Sequence, residues 1–428
     1  MRDRPPLPPS LYAATARPAA PTPALEGDRR ADVAVIGAGF TGLSTALNLA
    51  EGGAEVVVLD AGEPGWGASG RNGGQLNPGL KTDPDEVEAD FGPERGRRLV
   101  DFAWNAPETT LALIRRLGIE CDARQGGTLR AAYHPRHAEG VARTAEQCIR
   151  RGMPVTLLDR EAARTETGTD RHVAIMRDAR GGDVQPLDYA RGLARAAIAA
   201  GAAVHGGTRV TALRREEGRW TLSTPGGSVS AETVVLATNG YTDDLWPGLR
   251  RSVVPVFSSI AASEPMTPNV AAAVMPSRAV LYESGHVTVY LRVDGAGRLL
   301  MGGRGPQSPI GDPSPVRYLI RYAERLWPQL AGLKWTHGWN GQLAMTVDHY
   351  PHLHRPAPGL IACLGYNGRG VALSTATGGE VARLAAGAAE RDIALPLSPI
   401  RPIRLHRFWR LGVLTKVVEG RVRDRLGA

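Results

Sequence analysis

Cysteine is scarce in this chain of 428 residues, occurring only as Cys121, Cys148 and Cys363. Three thiols without metal-ligand spacing exclude a disulfide framework and read as reduced side chains. Lysine is as rare, at Lys81, Lys334 and Lys416 only, which limits the amines available for chemistry. No apolar run reaches the roughly 18 residues that a membrane-spanning helix needs. The first thirty residues break with proline before an apolar segment can form, so they read as an extended arm and not a secretory leader. The expected compartment is the cytoplasm. No P-loop and no Gly-x-Ser-x-Gly elbow occurs, which leaves kinase and hydrolase readings without a phosphate cradle or a nucleophile.

What is present is ordinary for a globular protein: 43% hydrophobic and 22% charged residues, in a chain long enough for two domains. The formal charge of +8 is concentrated at the end, where Arg401, Arg404, Arg407, Arg410, Lys416, Arg421, Arg423 and Arg425 face only Glu419 and Asp424. With the body nearly neutral, nucleic acid is not an expected partner. The tail mixes those cations with Leu405, Phe408, Leu411, Leu414 and Val418. It reads as a helix packed on its own domain in preference to a membrane-surface helix.

Residues 31–36 form a short apolar run ending at Gly37, followed by helical spacing through Phe40, Leu43, Leu47 and Ala50 and a second apolar run to Leu59. This is a βαβ opening. Its turn is a G-x-G-x-x-G, Gly37, Gly39 and Gly42 enclosing Phe40 and Thr41, with Asp60 closing the second strand. Such a turn brings backbone N–H groups to a pyrophosphate, and the acidic residue can accept a ribose hydroxyl. The unit alone does not separate NAD from FAD. Next comes Ser69, Gly70, Arg71, Asn72, Gly73, Gly74 and Gln75, a glycine-dense stretch that either lies flat beside a ring or forms a flexible surface loop. A later buried strand ends at Thr238, Asn239 and Gly240, a second nucleotide-side turn or a plain one. Gly368, Arg369, Gly370 and Val371 then open an Ala-rich helix, whose N-terminus can aim donors at developing negative charge or simply begin a helix.

Between these parts, residues 287–293 alternate. Period two places Thr288, Tyr290 and Arg292 on one face, which either meets water or roofs the site; Tyr and Arg two apart suit the orientation of a carboxylate-bearing amine. Tyr366, beside the late glycine turn, is a second pocket candidate. Asp348, His349, His352 and His354 cluster, but Pro351 prevents the helical spacing of a zinc site, and no metal is expected.

Taken together, the turn at 37–42, the segment 67–75, Ala237–Gly240 and Gly365–Val371 resemble the D-amino-acid oxidase superfamily of FAD-dependent amine oxidoreductases. The likeness runs nearly from end to end. It implies an α/β fold with a Rossmann-like, glutathione-reductase-like FAD-binding domain, discontinuous in sequence (29–105, 175–250 and 340–395). An α+β substrate domain on an antiparallel sheet is inserted (106–174 and 251–339), flanked by an arm (1–28) and a basic C-terminal helix (396–428). It further implies pyrophosphate at the first turn, ribose at Asp60, adenine on the backbone of Val210 and flavin beside Ser69–Gln75. Tyr290 and Arg292 match the family's substrate sheet, and His349 would stand in the pocket wall as a base. Covalent flavin attachment is not expected, because the cysteine used by related sarcosine oxidases falls near Gly341. The implied reaction is oxidation of a small amine, such as the primary amine of a gamma-glutamylated polyamine, with electrons passing to oxygen or another acceptor. The alternatives are an amino-acid oxidase or dehydrogenase of the same superfamily, and a non-catalytic flavin- or nucleic-acid-binding protein.

Overall fold

The computed structural model describes residues 4–285 and 287–426. Two eight-stranded sheets organise the chain. In the first, Arg29–Ile36 lies between Val56–Leu59 and Gly227–Leu236, with Ala203–His205 and Leu360–Leu364 outside them, all parallel. His352–Ala357 adds an antiparallel edge, and the meander Ala212–Glu216, Arg219–Thr224 continues from Gly227–Leu236. Val56–Leu59 and Leu360–Leu364 are buried throughout, as a parallel sheet covered on both faces requires. Helices Phe40–Glu51 and Gly370–Ala385 cover one face and touch at Gly378, where a Cβ would stand 2.5 Å from the Ser44 Cβ.

The second sheet runs Trp335–Met345, Val254–Pro265, Arg298–Arg304, Tyr290–Val293, Val280–Glu283, Thr128–Ala132, Ala174–Asp178, Val155–Leu158. It is antiparallel except that Val280–Glu283 pairs parallel with Thr128–Ala132. The chain crosses between the units later than expected. Ala174–Asp178 and the whole of Trp335–Met345 pair in the second sheet, and a single helix, Pro93–Leu117, runs through position 105 and packs in the first core.

Both termini depart from expectation. The arm is extended but includes a helical turn, Leu11–Thr15, and Leu11 and Tyr12 are buried against Trp339, Ile260 and Leu300. At the other end the helix occupies only Trp409–Leu426, and Leu405, Phe408, Leu411, Leu414 and Val418 are exposed, each more than half. That part of the apolar set is therefore not packed on the chain's own domain, whereas Trp409, Val413 and Val417 on the same helix are half-buried. Among the described residues no helix is long and apolar enough to cross a membrane.

Candidate active site

The first turn has the shape of a phosphate cradle. Gly37 sits at φ 108°, and a Cβ on Gly42 would stand 1.9 Å from the Gly37 carbonyl oxygen, so both positions require glycine. The N–H groups of Gly39, Thr41 and Gly42 have no partner among the described residues, while that of Phe40 donates to Ser69 Oγ at 3.0 Å. The Asp60 carboxylate accepts N–H bonds from Ala38 at 2.6 Å and Gly62 at 2.7 Å. Burial nonetheless raises its pKa, and a hydroxyl donor arriving there would restore solvation the carboxylate has lost. Val210 is buried, and its main-chain N–H and C=O have no partner among the described residues. Unpartnered N–H groups at 39, 41 and 42, a half-buried Asp60 carboxylate with room to accept a hydroxyl, and an unpartnered N–H and C=O at Val210 fit an extended dinucleotide.

The 67–75 segment is rigid because its own side chains fasten it. Asn72 donates to the carbonyls of Ala68 and Ser69 and accepts the N–H of Gly74 at 2.8 Å. Arg71, 7% exposed, reaches the carbonyls of Gly67 and Asn340 and the hydroxyl of Tyr241, and lies against the Trp66 and Tyr241 rings. Gln75 donates to the carbonyls of Leu281 and Leu291 in the second sheet. These side chains hold the segment, leaving its backbone as the surface a ring could lie on. Gly341 adjoins it: a Cβ there would stand 3.4 Å from the Arg71 Cβ, so the segment's neighbour carries no thiol.

The two later turns are tied together. Asn239, at φ 43°, accepts the N–H of Gly365 at 2.9 Å, and a Cβ on Gly240 would strike the Gln342 carbonyl oxygen at 2.7 Å. Thr238 bonds Thr242 within its own turn. Asn367 accepts the N–H of Thr346 and donates to the Gly365 carbonyl, clamping the turn before Gly370–Ala385. The N–H groups of Gly370 and Val371 head that helix without a partner among the described residues. Gly368 takes φ 84° in the turn.

Above the 67–75 segment stands the second sheet. The Tyr290 ring lies over Gly73 and Gly302, and its hydroxyl is 3.0 Å from Ser258 Oγ. The face carrying Tyr290 and Arg292 thus meets the glycine-dense segment and not water. Arg292, however, is 3% exposed and fully engaged: it pairs with Asp183 at 2.8 Å and donates to the Gly73 carbonyl at 2.7 Å and the Tyr12 hydroxyl at 3.2 Å. Binding a substrate carboxylate would mean expelling Asp183, so Arg292 positions Gly73 instead. Tyr366 also departs from expectation. It is 4% exposed, with its hydroxyl 2.6 Å from Thr41 Oγ1 and 3.3 Å from Cys363 Sγ, and it joins the first helix to the Leu360–Leu364 strand inside the core. Burial pushes the Cys363 thiol up to about 12, which keeps it an inert packing group.

His349 is exposed, at φ 62°, in the loop after Trp335–Met345. Burial of its surroundings and the Lys81 ammonium hold its pKa below the usual imidazole range, so it is neutral at pH 7. Asp348 pairs with His352 at 3.0 Å, and among the described residues no three His, Cys, Asp or Glu side chains are grouped to hold a metal ion. Sequence reasoning passed over three groups that gather near Arg369: Lys81, Arg304 and Tyr282. The rarity of lysine was the available signal for the first; Arg304 lies in the returning strand of the hairpin, where a glycine-rich run masks it.

Residues 32–384 match the model of the FAD dependent oxidoreductase family, and the chain belongs to that family. It is an FAD-dependent oxidoreductase of the class acting on CH–NH groups. Over 422 residues it is 33% identical to the gamma-glutamylputrescine oxidoreductase of Escherichia coli (strain K12), covering 98% of each chain. A probable oxidoreductase, OrdL, of Rhizobium meliloti (strain 1021) is 33% identical over 88% of each. Among solved structures, glycine oxidase from Geobacillus kaustophilus superposes with a TM-score of 0.74 at 26% identity, over 88% of this chain and 99% of that one.

Proposed function

We propose that this protein oxidises the primary amine of a gamma-glutamylated polyamine, or a similar amine, to an imine that water converts to an aldehyde. The observation that carries the reading is the near full-length likeness to a gamma-glutamylputrescine oxidoreductase, and the Tyr290 ring seated over Gly73 of the 67–75 segment supports it. FAD, when bound, supplies the acceptor for the two electrons and the hydrogen leaving the carbon beside nitrogen.

The chain's own residues do the rest. Gly39, Thr41, Gly42, Asp60 and the Val210 backbone would hold the dinucleotide half, and the Ser69–Gln75 backbone would carry the ring without a covalent link, since position 341 is glycine. The N–H groups of Gly370 and Val371 would steady negative charge at one ring edge. Tyr290, its phenol kept neutral by burial and bonded to Ser258, would roof the amine and exclude water. Neutral His349 can accept a proton from the incoming ammonium group. Oxygen or another acceptor would take the electrons.

An amino-acid oxidase or dehydrogenase is the second reading, favoured by the match to glycine oxidase. The two separate by product. Anaerobic mixing with gamma-glutamylputrescine, putrescine, glycine, sarcosine and D-amino acids, followed by product analysis, is the test: bleached flavin with an aminoaldehyde supports amine oxidation. Bleaching by amino acids alone with an oxo acid product, or none with any compound, overturns it.

A further inference from the structure

Most arginines pointing inward from the second sheet have a carboxylate. Arg292 and Arg124 share Asp183, and Arg130 pairs with Asp83 at 3.0 Å. Two neighbouring cations do not. Arg304 is half-buried at the end of its strand, and its guanidinium makes no hydrogen bond or ion pair among the described residues; its hydroxyl neighbours are Tyr290 and Tyr318. Lys81, likewise without a partner there, is exposed and close enough to Arg130, Arg304 and Arg369 to feel all three charges. Arg369 pairs with no carboxylate among the described residues either. It stacks on the Tyr282 ring at 4.4 Å, bonds that hydroxyl at 2.8 Å and reaches the Pro78 carbonyl at 3.4 Å, just before Lys81.

Strand register puts Arg304 and Tyr282, the residue on which Arg369 stacks, on one face. Arg130 pairs with Tyr282, Tyr282 with Tyr290, and Tyr290 with Gly302, while Arg304 follows two residues on from Gly302. Partners in register and residues two apart share a face of a sheet, and this is the face on which the Tyr290 ring covers Gly73. Three cations that pair with no carboxylate among the described residues stand near the roof of the site, and an anion placed among them would relieve their mutual repulsion. The pyrophosphate has a separate cradle of backbone donors at residues 39–42.

We propose that Lys81, Arg304 and Arg369 form an anion subsite that grips a carboxylate on the non-reacting end of the substrate. The inference deepens the amine-oxidase reading and rests on it for the identity of the ligand: the substrate is an amine bearing a remote carboxylate, not a plain diamine. Glutarate, which has carboxylates but no oxidisable amine, is the probe, with glutaramide as its uncharged counterpart. Calorimetric titration of the FAD-loaded protein should show glutarate binding and no glutaramide binding. Arg304→Gln and Lys81→Gln should each weaken glutarate at least about tenfold, the loss of one charge-assisted hydrogen bond. Lys81→Gln changes an exposed side chain, so it tests the subsite even if Arg304→Gln fails to fold. No glutarate binding, or equal binding by wild type and variants, overturns the subsite. A kinetic arm compares flavin reduction by N-glutarylputrescine and by N-butyrylputrescine, which differ only in the carboxylate. Selectivity for the first that falls in both variants supports the proposal. Equal reduction by both compounds overturns the subsite and leaves amine oxidation standing. Glutarate binding lost in the variants, with no amine reducing the flavin, upholds the subsite and overturns amine oxidation.

Discussion

Replacing Arg292 would strand a carboxylate. Asp183 is 2% exposed and its remaining partner, Arg124, reaches it from a more exposed position. Breaking a buried pair by removing one member costs about 3–5 kcal/mol, so Arg292→Ala should lower the denaturation free energy by that order in a urea melt; a loss below about 1 kcal/mol would contradict the positioning role. A second residue-scale expectation follows from Lys81. Although Lys81 itself is solvent-exposed, desolvation by the protein packed around its amine and the charges of Arg369, Arg304 and Arg130 bring its pKa down to about 8. The arginines stay charged throughout and His349 is already neutral, so Lys81 alone changes charge as pH rises from 7 to 9. Glutarate affinity should therefore fall across that interval in wild type and stay flat in Lys81→Gln; parallel profiles would remove Lys81 from the subsite. Single residues were read unevenly from the sequence. Gly37, Gly42 and Asp60 were legible because close approach and a tight turn leave few residue types possible. The engagement of Arg292 was not, because its partner Asp183 lies 109 positions away and strand periodicity reports only which face a side chain takes.

At the scale of elements, the two helices that begin at the glycine turns work as a pair. Ser44 Oγ donates to the Thr375 carbonyl and Thr45 Oγ1 to the Gly378 carbonyl, which is possible only because Gly378 has no side chain. Gly378→Val should push the helices apart, costing about 1–3 kcal/mol from overpacking, and lower FAD affinity by displacing the N-termini; unchanged affinity in a fluorescence titration would show that the pairing does not matter to the site. The strands of the first sheet could be read directly as short apolar runs, since burial on both faces leaves no polar alternation. The parallel pairing of Val280–Glu283 with Thr128–Ala132 could not, because pairing between distant strands leaves no local pattern. Helix Pro93–Leu117 carries Pro107 within it, which blurred its extent.

For the whole molecule, the sheets are joined by a short bridge, Gln75–Leu76 with Gly182–Asp183, at the spot where Arg292, Gly73 and Tyr12 meet. The arm is thus part of the site's support, whereas no described side chain of 409–420 belongs to a core cluster. Ending the chain after Phe408 should leave the melting temperature within about 2 °C and FAD content unchanged, because few contacts are lost; a larger fall would show that the terminal helix packs. Which sheet a strand joins near 105, 175 and 340 was not legible in the sequence, because sheet membership is decided by partners far along the chain. The central claim is that the cradle, the 67–75 backbone and the two late turns close on FAD without a covalent bond. Acid precipitation of the purified protein, followed by chromatography of supernatant and pellet, tests it most directly. The expected result is FAD released into the supernatant in an amount equimolar with the chain. Colour retained by the pellet, or a protein that stays colourless after incubation with excess FAD, would contradict it.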